Sequence, residues 1–468
     1  MAASLADICL RIDDNSTVLR SAVEFFGTKQ ARDASQLAAR LGDQFIKQNR
    51  RLANVLGVAL GLEYDGRDVH LRVTSSNQVG AVPLVSPVTA RNDFGLLVKP
   101  RFAWDGIGPM LSRMGWRVAP APLKLPLLKR SERQVPRWVL ASMILTRVAA
   151  LLETLDRRFE LVDEVRAAPR GSVQWGRYAT EHLSRAQFLS VPCRFPDLRD
   201  DRLLLGAIRH TLQLQLQALE GQRGHGAFIL RLIEWTQLLL QRVGRVPIHI
   251  PSSSSFALWH QRPLRSDAFL DGLQAIEWTV DERMLAGLSD LEGVPWRLPM
   301  DQFFESWVET VGGMAARATG GTIRSARQRQ TTHAIQWQSG SSRTQQSLMP
   351  DLWLEWPGTT LVIDAKYKAH WDRFDLEHVR EEHRHDLHQV LAYAALASTP
   401  RVIACLAYPC PVDEWSGLRA RGRHLRQAEI FVANRRLNLW LMAMPMSAEA
   451  EDVAGPLATL IRDHLAAA

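Results

Sequence analysis

The chain has little cysteine and no long apolar run. Its 468 residues include four cysteines, Cys9, Cys193, Cys405 and Cys410, scattered too widely for zinc-binding pairs. A zinc ribbon or a disulfide-stapled fold is excluded, and a reduced cytoplasmic protein is expected. No apolar stretch is long enough to span a bilayer. The opening Met-Ala-Ala-Ser-Leu-Ala-Asp has neither the basic start nor the apolar centre of a signal peptide. No membrane association is therefore expected. Repeats at solenoid or propeller periods are absent. So is a Gly-xxxx-Gly-Lys-Ser/Thr loop, which excludes a P-loop motor within these residues; Gly106-x-Gly108 is too short to cradle phosphates. Acid is missing from one whole stretch. Thr310 to Pro350 contains no Asp or Glu but carries Arg317, Arg324, Arg327, Arg329 and Arg343.

What is present is a globular composition, 46% hydrophobic and 23% charged, with a net charge of +8. Such a length implies two or three domains. The fold class expected is mixed α/β. Residues 1–120 read as an N-terminal α/β domain, with Leu37, Leu41 and Phe45 at helical spacing, alternation over Val69–Val73, and a strand from Asp93 into the basic Lys99-Pro100-Arg101. Residues 121–250 read as mainly helical. A Pro-rich basic loop over 120–136 precedes a long helix expected from Arg137 to Phe159. A Pro-Arg-Gly turn at 169–171 follows, and then helices over 203–243 broken near Gly221–Gly226. Arg166, Arg170 and Arg177 are candidates for phosphate contact or for a solvated basic loop. The serine run in 247–255 marks a boundary, with 251–298 as a linker region. Residues 299–468 form the last domain, opening with Asp301 as the N-cap of a helix that carries Phe303, Phe304, Trp307, Val308 and Val311.

The chemistry concentrates between Pro350 and Tyr393. Leu352–Trp356 and Thr359–Ile363 flank Pro357-Gly358, a dipeptide that breaks strands, so the segment predicts a β-hairpin. Asp351 then opens one strand and Asp364 closes its partner, which brings the two acids together. Paired carboxylates repel unless a cation lies between them. An all-oxygen set with open positions suits Mg²⁺ or Mn²⁺. Lys366, two residues beyond Asp364, shares its face of the strand. Its ammonium is placed to orient a water or to stabilise charge on a phosphoryl oxygen. Gln389 and Tyr393 sit one turn apart on a helix. The acid-free basic stretch just upstream is what a phosphate backbone needs, making Arg324, Arg327, Arg329 and Arg343 candidate DNA contacts.

Asp351, Asp364-Ala365-Lys366 and the Gln389-xxx-Tyr393 helix resemble the PD-(D/E)xK nuclease superfamily. The wording Asp-Ala-Lys-Tyr-Lys followed by Asp-Leu-His-Gln-Val-Leu-Ala-Tyr is most similar to McrC-like proteins, the nuclease subunits of modification-dependent restriction systems. The resemblance implies a C-terminal restriction-endonuclease-like domain in which Asp351, Asp364 and the backbone carbonyl of Ala365 hold the metal. It also implies that a helix before the sheet supplies a further acid, here Glu305, and that Gln389 and Tyr393 brace the site. It implies double-stranded DNA as substrate and a separate AAA+ GTPase as motor, docking on the N-terminal regions.

Two rival readings stand beside it: a stand-alone nuclease of repair or defence, and a non-catalytic DNA-binding adaptor. A zinc site among His378, His383, His385 and His388 is disfavoured, because spacings of five, two and three do not place all four on one helical face. Later strands are expected over 402–408, 428–433 and 437–442. A basic loop carrying Arg419, Arg421, Arg423 and Arg426 is expected between them.

Overall fold

A computed structural model describes residues 9–102, 107–115, 117–118, 120–123, 125, 137–155, 158–223, 227–261, 266–280, 284–285, 293–337, 345–368, 371, 377–432, 435–446 and 449–466. It is a mixed α/β protein, as expected. Its contacts divide into two units: one joins residues 1–140 to 284–468, and the other is Ala141–Arg283.

The first unit begins with β1 (Cys9–Asp13), β2 (Thr17–Ser21), α1 (Ala34–Asn54), β3 (Ala59–Asp65), β4 (Asp68–Thr74), β5 (Gln78–Leu84), β6 (Phe94–Lys99) and α2 (Ile107–Arg113). Strands β3 and β4 form an antiparallel hairpin, and β2 pairs antiparallel with the far side of β4, giving the order β2-β4-β3. In β4, Val69, Leu71 and Val73 are buried while Asp68 and Arg72 face out, the period-2 pattern of a half-covered strand. Phe45 of α1 is fully buried against Phe25, Phe26 and Phe94.

The second unit contains most of α3 (Arg137–Glu153), then β7 (Arg158–Arg166), β8 (Ser172–Val173), β9 (Val191–Arg199), α4 (Arg202–Glu220), α5 (Ala227–Val243), α6 (Ser253–His260) and α7 (Asp267–Val280). The helix expected to reach Phe159 ends at Glu153. Phe159, Leu161, Val162 and Val165 instead enter β7, which pairs antiparallel with β9 along nine residues; aromatic and β-branched content favours strand there. The break between α4 and α5 falls where the glycines predict it. The serine run is not a linker. Ser252 and Ser255 form a reciprocal capping box that starts α6, and 251–280 holds two helices inside this unit. Arg166 lies 3.6 Å from Glu164, Arg170 lies 3.2 Å from Asp197 and over the Phe195 ring, and Arg177 bonds Glu181 at 2.9 Å.

The chain then returns to the first unit. β10 (Trp296–Pro299) pairs antiparallel with β5, making the sheet β1-β6-β5-β10 with a short Ala121–Pro122 strand at its edge. Of the expected basic loop, 120–123 and 125 are described, with Ala121–Pro122 forming this strand; 124 and 126–136 lie outside the described residues. α8 (Met300–Ala318) follows directly. Its N-cap is Pro299 rather than Asp301, which sits in the first turn where the helix dipole favours an acid. Phe303, Phe304, Trp307, Val308 and Val311 are all fully buried, each contributing roughly 1.5–3 kcal/mol of apolar burial. Trp307 Nε1 donates to the carbonyl of Pro445 at 3.1 Å.

The last sheet is built from β11 (Thr322–Ser325), β12 (Leu352–Trp356), β13 (Thr359–Ala365), β14 (Arg401–Pro411), β15 (Leu425–Val432) and β16 (Arg435–Met446). Helices α9 (Glu377–Ala394), α10 (Val412–Ala420) and α11 (Ala450–Ala466) accompany it. Its order is β11-β12-β13-β14-β16-β15, with β13, β14 and β16 parallel at its centre and antiparallel pairs outside. Every residue of β13 is buried, as a central strand covered on both faces requires. The expected basic loop is mostly structured: Arg419 ends α10 and Arg426 lies in β15.

Candidate active site

The hairpin forms as its sequence predicts. Gly358 takes φ +75°, the left-handed conformation that the turn after Pro357 requires. β12 and β13 pair with Leu352 opposite Ile363. Continued by one residue, that register sets Asp351 opposite Asp364. Asp351 is fixed from three directions. Its Oδ2 accepts from the Ala365 amide at 2.7 Å, its carbonyl accepts from the Ala326 amide at 2.9 Å, and the preceding Pro350 carbonyl accepts from Thr331 Oγ1 at 2.6 Å.

Asp364 follows three fully buried apolar residues and its side chain is only 3% exposed. Lys366 Nζ approaches Asp364 Oδ2 to 2.8 Å as an ion pair, yet that oxygen receives no hydrogen bond of good geometry. Lys366 also donates to Gln389 Oε1 at 2.9 Å, and Gln389 Nε2 donates to the Tyr393 hydroxyl at 2.8 Å. Gln389 and Tyr393 are thus brought to the strand end, Gln389 touching Lys366 and Tyr393 touching Gln389.

The electrostatics show an excess of negative charge. Burial, then the charges of Asp364 and Glu305, push the Asp351 carboxyl well above the ordinary range. Burial also raises Asp364, against the pull of Lys366. Glu305, on α8, is pushed up to about 7 by burial, then by Asp301 and Asp364. Burial opposes the charge on Lys366, but Asp364, Asp351 and Asp386 together more than offset it, and its pKa rises.

Among the described residues, no three of His, Cys, Asp and Glu are grouped closely enough to hold a metal ion by themselves. Asp351 and Asp364 make a two-carboxylate set, and Glu305 acts on them as a charge. That set fits Mg²⁺, which binds through one or two carboxylates and keeps several waters; the buried Asp364 Oδ2, in contact with the Lys366 ammonium, is the donor such an ion would use.

The candidate DNA contacts divide. Arg324 pairs with Glu355 at 3.1 Å and stacks over Trp353. Arg327 lies 3.5 Å from buried Glu309 and within electrostatic range of Glu305. Arg329 is exposed at the end of a short turn. Arg343 lies outside the described residues. Of the four histidines, His385 and His388 are exposed, His383 Nδ1 meets the Tyr408 hydroxyl at 2.9 Å, and the side chain of His378 lies outside the described residues.

Sequence reasoning missed a second polar cluster beside the first. Lys368 donates to both oxygens of buried Asp386, at 2.8 and 3.0 Å, and Tyr408 donates to the same carboxylate at 3.1 Å. Because the Tyr408 proton is committed to Asp386, His383 Nδ1 must be the donor to the Tyr408 oxygen. The available signal was Asp386 at i, i+3 and i+7 with Gln389 and Tyr393, one face of α9. Also missed was Arg101, which lies 4.5 Å over the Tyr367 ring and whose amide donates to Asp14 Oδ1 at 2.6 Å.

The site is therefore an acid pair and a lysine at the end of a central strand, braced by a helix, in a mixed α/β unit. Residues 284–409, which include all of these groups except Asp14 and Arg101, match a family described as McrBC 5-methylcytosine restriction system component. That segment is similar to the McrBC component family, in agreement with the resemblance read from its motifs. Two solved assemblies from Thermococcus gammatolerans are similar at 13% identity. A refined half-complex of McrB AAA+ hexamers with bound McrC is aligned over 97% of this chain and 100% of that chain, with a TM-score of 0.39. The cryo-EM structure of the McrBC complex is aligned over 66% and 88%, with a TM-score of 0.26. Curated proteins give no match. No described helix is long and apolar enough to cross a membrane.

Proposed function

We propose that the protein is the Mg²⁺-dependent DNA endonuclease subunit of a McrBC-like restriction system. The observation that carries this reading is the hairpin register that faces Asp351 with Asp364 while Lys366 lies 2.8 Å from Asp364. Asp351, Asp364 and the Ala365 carbonyl would hold the divalent ion. When bound, such an ion lowers the pKa of a coordinated water and clamps a phosphoryl oxygen.

The residues of the chain do the rest. Asp351 is locked beside Asp364 by the Ala365 amide. Lys366, kept protonated by Asp364 and steered by Gln389, supplies positive charge where a phosphoryl oxygen gains negative charge. Gln389 and Tyr393 hold that ammonium in place. Glu305, half-protonated near neutral pH, adds a carboxylate whose charge depends on the ion. A separate AAA+ NTPase is implied by the McrC-like segment and by the absence of a P-loop among these residues, and the region before the nuclease sheet is its proposed docking surface.

The test is cleavage of methylated and unmethylated plasmid by the full chain with Mg²⁺, with and without the neighbouring NTPase, comparing wild type with Lys366→Ala. Cutting by wild type and none by the variant is expected. Equal cutting by both removes the assignment.

A further inference from the structure

Beside the acid cluster lies a second feature that the reaction does not use. A cavity of about 590 Å³ opens between α2 and the residues following it on one side, and α8 and the end of β11 on the other. That volume is in the range of small-ligand sites. Its charged lining is Arg113, Arg117 and Arg317 against a single acid, Glu309.

Glu309 is 7% exposed and already holds two cations, Arg117 at 3.1 Å and Arg327 at 3.5 Å. Its charge is spent inside the wall. Arg113 is tethered to Glu451 across the rim. These ties hold guanidinium groups in place while leaving further N–H donors for a ligand. Arg317, in the last turn of α8, is exposed. Gly313 contributes no side chain to the floor, and Gln328 adds a neutral polar group. The cavity is built for an anion with several oxygens.

Its position says which anion. Glu309 follows Glu305 by about one helical turn of ~5.4 Å. Gln328 belongs to the turn whose Ala326 amide bonds the Asp351 carbonyl. The turn after β11 therefore adjoins both the cavity, through Gln328, and Asp351, through Ala326, and its Arg327 pairs with Glu309 of the cavity wall. A nucleic-acid strand carries a phosphate for about every 3.4 Å of duplex axis. A strand with one phosphodiester at Asp351 and Asp364 would carry its next phosphates past the turn after β11 toward these arginines.

We propose that the Arg113–Arg117–Arg317 cavity is a phosphodiester-binding subsite that holds the DNA strand on one side of the cleaved bond. It rests on the nuclease reading for the identity of the strand, but binding alone tests it. Contacts of this kind fix position and carry no sequence information.

The experiment measures binding of a fluorescent duplex to the full chain in Ca²⁺, from 50 to 200 mM salt, for wild type, Arg113→Ala, Arg317→Ala and Arg317→Lys. Each alanine variant should weaken binding severalfold and reduce the salt slope by about one, equally on methylated and unmethylated duplex. Arg317→Lys should restore the slope. Thermal shifts with inorganic phosphate and with a deoxynucleoside monophosphate form a second arm. Unchanged slopes in both alanine variants, or no duplex binding by wild type, overturn the proposal. So does a phosphate-induced shift lost in Arg317→Ala while duplex binding stays intact, since the cavity is then a site for free phosphate. Loss of binding in the variants of a chain that never cuts, with or without the NTPase, supports the subsite and removes the nuclease reading instead.

Discussion

Two polar clusters lie at the same end of the same sheet, and they are finished differently. Around Asp386 every charge is closed: Lys368 gives two hydrogen bonds, Tyr408 a third, and His383 completes the chain from outside. Around Asp364 the account does not close. Asp351, Asp364 and Glu305 act on one another, all three are raised by burial, and Lys366 is the ammonium in contact. Both clusters cost desolvation, but only the first recovers it within the chain. Structural buried ions are paired; ions that await a ligand are left in excess.

Matched substitutions break or sharpen this contrast. The largest effect is on chemistry. Asp364→Asn should lower cleavage by more than about a thousandfold, the several kcal/mol of an ion-dependent step, while thermal stability without metal stays the same or rises. Plasmid cleavage and a melting curve read both. Asp386→Asn should do the reverse to the fold, lowering stability by about 2–3 kcal/mol because it removes the nearer and more buried of the two carboxylates paired with Lys368; urea denaturation checks it.

Next comes pH. Glu305 rises from 4.5 to about 7 in the folded chain. The folded state then holds the proton more tightly than the unfolded one, so this group favours folding at low pH. That contribution is lost as pH climbs from about 4.5 through 7, by up to about 3 kcal/mol. Glu305→Gln should flatten the fall in metal-free melting temperature between pH 5 and pH 8; an unchanged fall contradicts the shift. The smallest effect is expected at the brace. Gln389→Ala should reduce cleavage about tenfold to a hundredfold and change stability by less than about 1 kcal/mol, the two readouts separating positioning from packing.

How far the sequence carries depends on range. The hairpin was legible because its turn, its strands and its register lie within fifteen residues, Asp351 to Ala365. Gln389 and Tyr393 were legible because helical spacing puts them on one face. The partner of Asp386 was not, since Lys368 lies 18 residues away across a crossover. Nor was the return of Trp296–Pro299 to pair with β5, more than 200 positions earlier, because periodicity carries no information about distant partners. The serine run misled for a local reason: composition suggested a linker, while the Ser252–Ser255 pair satisfied a helix start. Glu309 lies about one helical turn beyond Glu305, and only the fold shows it bound by Arg117 and Arg327.

The most direct test of the central claim is metal-induced stabilisation. The melting temperature of the full chain is followed with and without Mg²⁺ or Mn²⁺ at pH 5.5 and pH 8, for wild type, Asp351→Asn/Asp364→Asn and Asp386→Asn. A cation completing the acid pair should raise the wild-type value strongly at pH 8 and weakly at pH 5.5, should do the same in Asp386→Asn, and should have no effect on the double variant. Equal stabilisation of wild type and double variant, or none in wild type at either pH, contradicts the account.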